Sequence, residues 1–122
     1  MTLRHERAYN EPETIEASIA KDASLSSGVR LPAACYLSGI IMPGTWTAAD
    51  LSFQGSHDGV TYYDIYDEYG SEVIVNADAS RHIVLQPGIW SGTRFLKVRS
   101  GTTGTPVTQA AARTLNLIVR PY

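Results

Sequence analysis

LSFQGSHDGVTYYDIYDEYGSEVIV, residues 51–75, decides the fold class. Leu51-Ser52-Phe53-Gln54 alternates apolar and polar side chains, the period of a half-buried strand. His57-Asp58-Gly59 follows, and Asp-Gly between two alternating runs predicts a hairpin, because the turn needs residues that tolerate a positive φ. Thr61 to Tyr66 alternates again, in the aromatic and β-branched types that fit a pleated surface. Asp67-Glu68-Tyr69-Gly70 predicts the next turn, and Glu72 to Val75 the returning strand. Together these runs predict an antiparallel meander, with Phe53, Tyr63 and Ile65 toward a core and Tyr62 and Tyr66 outward.

Upstream, Thr14 to Ala20 places Ile15, Ala17 and Ile19 on one face of a strand, and Ala23 to Ser26 predicts a short strand. Tyr36 to Met42 is more evenly apolar, as expected at the centre of a sandwich, and Pro43-Gly44 stops it. Downstream, Arg81 to Leu85 predicts a strand, and Gln86 to Gly92 a loop anchored by Ile89 and Trp90. Arg94 to Arg99 alternates with Leu96 and Val98 inward and Phe95, Lys97 and Arg99 outward. After a long Gly/Thr loop from Ser100 to Gln109, Thr114 to Arg120 turns Leu115, Leu117 and Val119 to one face. Short strands at this spacing, with no long helical pattern, predict an all-β antiparallel sandwich or jelly roll of about eight strands. Residues 1–12 are polar, charged and aperiodic and are expected to form an extended N-terminal arm on one domain, 13–122.

At 122 residues and 43% hydrophobic content the chain can bury one core without disulfides, and with Cys35 alone it can form none within itself. Cys35, among Ala33, Ala34, Tyr36 and Leu37, is expected to pack as a small hydrophobe. The first residues lack the apolar core of a signal peptide, and no run approaches the roughly 20 apolar residues that span a bilayer, so synthesis in a cytosol without a membrane stage is expected. The net charge of −2 hides an asymmetry: all 12 carboxylates fall in residues 1–78, while Arg81, Arg94, Lys97, Arg99, Arg113 and Arg120 follow with none. A nucleic-acid binder is expected to be basic overall with clustered Lys and Arg. Here the two halves are expected to pair with each other or across subunits, or to present a basic face to an acidic partner.

No G-x-S-x-G elbow accompanies His57 or His82, and three scattered histidines with one cysteine do not supply a zinc site. Gly101-Thr102-Thr103-Gly104-Thr105 lacks the Lys-Ser/Thr ending of a phosphate loop. Asp64, Asp67 and Glu68 are better explained as a solvated hairpin than as calcium ligands. No catalytic residue, metal or cofactor is therefore expected. What remains is a contact surface: Trp46, Tyr62, Tyr66, Asp67, Glu68 and Trp90 combine aromatic rings with polar neighbours, a pattern that serves either glycan stacking or protein contact.

SFQGSHDGVTYYDIYDEYGSEV followed by RFLKVRSG resembles the hairpin and later strand of discoidin-like, galactose-binding-like sandwiches. From residue 24 to 121, the order LSGIIMPGTWTAADLSFQGSHDG, TYYDIYDEYGSEV, RFLKVRSGT, RTLNLIVRPY is similar to small virion proteins of tailed bacteriophages and prophages. That resemblance implies a non-enzymatic virion protein, a capsid decoration or cement protein. It would be made in the bacterial host cytoplasm and carried on the head surface, bound to the major capsid protein and to copies of itself as a dimer or trimer. The arm, through Leu3, Arg4, Arg7 and Tyr9, is expected to reach the capsid or a neighbouring copy. The alternative is a carbohydrate-binding or adhesion module on a head fibre or tail.

Overall fold

The computed structural model describes residues 13–122. Among the described residues eight strands form, β1 Glu13–Ile19, β2 Val29–Arg30, β3 Cys35–Ile41, β4 Leu51–Ser56, β5 Tyr63–Asp64, β6 His82–Val84, β7 Phe95–Ser100 and β8 Arg113–Pro121, with one helical turn, α1 Pro87–Trp90. They make two four-stranded sheets, in the orders β1-β8-β3-β6 and β2-β7-β4-β5, with every pairing antiparallel. The first strand pairs with the last, the second with the seventh, the third with the sixth and the fourth with the fifth. A single long ribbon wound on itself in this way is a jelly roll. The chain is an all-β antiparallel sandwich, as its alternation predicts.

Alternation also accounts for the core. Ile19, Leu37, Leu115 and Leu117 from one sheet meet Leu51, Phe53, Leu96 and Val98 from the other, all fully buried. In β3 the register slips between Leu37 and Gly39. This bulge lets Leu37 and Ile40, three residues apart, both point inward. It explains why that segment lacks a strict period of two.

Two long connections are pinned by polar groups. Gln109, fully buried, uses its whole amide: Nε2 donates to Thr47 O and Ser100 Oγ, and Oε1 accepts from Thr47 N and Arg113 Nε. At Gly101 φ is +92°, and a Cβ would lie 2.5 Å from Thr105 O, so this start of the Gly/Thr loop requires glycine.

Several expectations change. Trp46 and Trp90, assigned to loop surfaces, are 8% and 2% exposed. Trp46 Nε1 donates to Ala49 O at 3.0 Å, and Trp90, on α1, packs edge-on against Phe53 at 4.7 Å between ring centres. A large indole gains more from burial than a short connection loses by bending to deliver it. Tyr63, assigned to the core, is 68% exposed because β5 is the edge of its sheet. Arg99 does lie on the outward face of β7, but it is buried there under a charge network. Ala23 to Ser26 contributes only the bridge of Leu25 to Arg99, and the second strand is Val29–Arg30 instead. Cys35 is half-buried rather than enclosed.

Candidate functional site

The meander of residues 51–75 is tighter in its side-chain bonding than in its backbone ladder. After β4, Asp58 Oδ1 accepts from Val60 N at 2.9 Å and Thr61 N at 3.0 Å, and Ser56 Oγ donates to the same oxygen. Ser56 Oγ in turn accepts from Gly59 N. These bonds favour the carboxylate, the two backbone donors most, and lower the Asp58 pKa from 3.8 to about 2. The connection is therefore a wider loop closed by side chains, not a two-residue hairpin. Gly59, at φ +77°, lies against the Phe95 ring and completes it.

The returning segment is held mainly by bridges. Tyr66 pairs with Glu72, and Leu51 with Val75. Between them Asp67 builds the turn: its Oδ1 accepts from Tyr69 N at 2.9 Å and Ser71 N at 3.0 Å, while its own N–H donates to Ser71 O. An aspartate that binds backbone groups two and four residues on fixes such a turn without a ladder.

Beneath this edge lies a buried cation. Arg99 Nη2 donates to Asp64 Oδ1 at 2.7 Å, and Nη1 to Thr103 Oγ1 and Ser52 Oγ, with Glu72 Oε2 3.8 Å away. Thr103 Oγ1 also donates to Glu72 Oε2 at 2.6 Å. The Arg99 hydrogen bond, above all, holds the Asp64 carboxyl below its ordinary range. The basic and acidic halves of the sequence meet here, within one sheet.

What this scaffold leaves exposed is three tyrosines along one connection. Tyr63, Tyr66 and Tyr69 are 68%, 54% and 86% exposed, all on the connection from β5 to the Asp67 turn. Tyr66, Asp67 and Glu68 border an open cleft of about 530 Å³, closed on its other side by Gln86 and by Ile89 of α1. Ile65 forms part of its floor and packs on the core. The cleft thus combines one aromatic wall, two carboxylates, an amide and an exposed isoleucine.

Of the residues singled out from sequence, the structure brings together Tyr66, Asp67 and Glu68. Tyr62 is turned to a different surface, the outer face of the β4–β7 pair, where Lys97 Nζ stands 4.5 Å over its ring. Trp46 and Trp90 belong to the core and cannot touch a partner. Leu3, Arg4, Arg7 and Tyr9 lie outside the described residues. Sequence reasoning assigned Tyr63 to the core and did not connect Gln86 and Ile89 with the meander. Edge position exposes Tyr63, and the winding of the ribbon brings residues 86–89 beside 65–68; neither is written in local periodicity.

Among the described residues, no group of three or more His, Cys, Asp or Glu is placed to hold a metal ion, and no helix is long and apolar enough to cross a membrane. The sequence matches no protein-family model, and no curated protein is significantly similar to it.

Proposed function

We propose that this protein is a non-enzymatic structural component of a tailed-phage virion, a head decoration protein that docks on the major capsid protein through its tyrosine edge. One observation carries the docking surface: three well-exposed tyrosines stand on a backbone already locked by Asp67 and underpinned by the Arg99 network. Tyrosine offers a large amphipathic contact at low entropic cost, and a prelocked backbone loses little more freedom on binding. Asp67 and Glu68 favour a basic patch on the partner. The virion assignment rests on the sequence resemblance over residues 24–121. The arm, residues 1–12, is a second proposed contact.

Co-sedimentation with phage heads assembled from the major capsid protein tests this. The wild type is expected to saturate at a fixed number of copies per head. Tyr66→Ala with Tyr69→Ala is expected to weaken occupancy at least about tenfold. No binding to heads overturns the role, and undiminished occupancy of the double variant overturns the surface. Removing residues 1–12 measures the arm in the same assay, where full occupancy would dismiss it.

Carbohydrate binding is favoured by the cleft alone, where Tyr66 adjoins two carboxylates and the Gln86 amide. A glycan array separates the two: binding there that is lost in Tyr66→Ala would place the protein among adhesion modules.

A further inference from the structure

On the side of the sandwich formed by β1, β8, β3 and β6, the outer face is not dressed as a solvated face should be. Val84 is 82% exposed, Ile41 and Ile118 are half-buried, and Tyr36 stacks on the two-thirds-exposed Tyr122 at 5.1 Å. Between them runs a shallow groove of about 390 Å³, lined by Tyr36, Ser38, Val84, Leu85 and Ile118. The charged groups on this face, among the described residues, are Glu16 and Arg120, and His82 adds an imidazole. From the geometry we infer that a second copy of this chain packs on this face, related by a two-fold axis parallel to the strands. The inference concerns a different face from the tyrosine edge and does not rest on the virion assignment.

The strand register carries the argument. Across the sheet, Glu16 pairs with Asn116, Asn116 with Ile41 and Ile41 with His82, so these four outward residues form one row. The next row is Thr14, Ile118, Gly39 and Val84, and the third includes Arg120 and Tyr36. A two-fold axis between β8 and β3 lays each row over its own reverse, as an isologous interface demands. Glu16 of one copy then faces His82 of the other, whose imidazole N–H can donate to the carboxylate. Ile118, whose Cδ1 already lies over Gly39 of its own chain, meets the same apolar pair of the second copy, and Arg120 faces the Tyr36 ring, an attractive cation–aromatic pair. Thr14 covers Val84. Complementarity thus lies at Glu16 with His82 and at Arg120 with Tyr36, while at the middle of the first row Asn116 faces Ile41.

Four strands about 4.8 Å apart, of which β1 and β3 have seven residues and β6 three, give a face roughly 20 Å across that narrows at β6. That lies at the small end for a specific interface, so a dimer with a dissociation constant on the order of micromolar is expected.

Sedimentation velocity of the purified chain across a concentration series, at neutral pH, is the first measurement. A reversible dimer is expected, and a species that stays monomeric to about 100-fold above that constant overturns the inference. Ile118→Glu is expected to weaken the dimer at least about tenfold, with circular dichroism checking that the variant is folded. Should that variant fail to fold, exposed Glu16 provides the second handle: Glu16→Lys weakens association, and adding His82→Glu restores it. A folded variant that dimerises as well as wild type, or no recovery in the swapped pair, overturns the register. Cross-linking reads the geometry directly. Two sheets packed face to face lie about 10 Å apart, beyond disulfide reach, so a short bismaleimide spanning about 10 Å is the reagent. With Cys35→Ser as background, Glu16→Cys and His82→Cys are made on separate chains and mixed. Rapid coupling of the mixture to a covalent dimer, faster than either variant alone, supports the facing of Glu16 and His82, and no preferential coupling overturns it.

Discussion

Arg99 shows why a charged residue on an outward strand position need not be at the surface. Its side chain is 9% exposed and its guanidinium is bonded to Asp64, Thr103 and Ser52, so it ties β7 to β5 and to the Gly/Thr loop. Removing one partner of a buried charge cluster leaves the others desolvated and unpaired. Arg99→Met is therefore expected to lower the unfolding free energy by about 2–4 kcal/mol in a denaturant titration. Lys97→Met, which removes a partly exposed cation over Tyr62, is expected to cost about 1 kcal/mol or less. Asp58 supplies a pH signature at the same scale. Its folded pKa of about 2 lies below the ordinary 3.8, so its bonds are fully present above pH 4 and disappear as pH falls toward 2. Asp64, also lowered, acts with the same sign. An NMR titration of the Val60 and Thr61 amides is expected to show a midpoint near pH 2; a midpoint near 3.8 would refute the loop's role in holding the carboxylate.

At the scale of elements, the regular strands and the irregular connections are stabilised differently. Strands β1, β7 and β8 follow from alternation, and of the inward residues read there Ala17, Ile19, Leu96, Val98, Leu115, Leu117 and Val119 are buried and Ile15 partly so. The connections depend on single polar side chains. Gln109→Ala is expected to cost about 1–3 kcal/mol, because it orphans the part-buried backbone N–H and C=O of Thr47. In hydrogen exchange, residues 44–50 and 106–112 are expected to lose protection together, whereas uniform loss would assign Gln109 to the global core. This contrast also marks what could be read from sequence. Period-two burial is a local property, visible in Leu115-Asn116-Leu117-Ile118-Val119. Whether Trp90 is inside and Tyr63 outside is not local. It depends on which strand lies at a sheet edge and which connection folds back over the core. The Arg99–Asp64–Glu72 cluster was visible only as an unbalanced charge distribution, and the cleft between residues 65–68 and 86–89 left no trace in either segment alone.

For the whole molecule, the consequence is a division between aromatics that build the jelly roll and aromatics that face outward. Trp90 sits where α1 closes one end of the sandwich and fills the space beside Phe53. Trp90→Ala leaves a cavity that two stiff sheets cannot collapse, so a loss of about 3–5 kcal/mol is expected. That is a large part of the stability of a domain this size. Tyr63, Tyr66 and Tyr69 have most of their surface in water and bury little against the fold. Replacing all three by Ala is expected to change unfolding free energy by about 1 kcal/mol or less, since Asp67, not the rings, holds the turn. The two variants should therefore separate fully: Trp90→Ala loses its thermal transition first, and the triple tyrosine variant unfolds normally yet fails to occupy phage heads. A triple variant that both unfolds early and binds normally would show that these rings brace the edge strand rather than meet a partner. The contact surface would then have to be sought on the opposite sheet, around Val84 and Ile118.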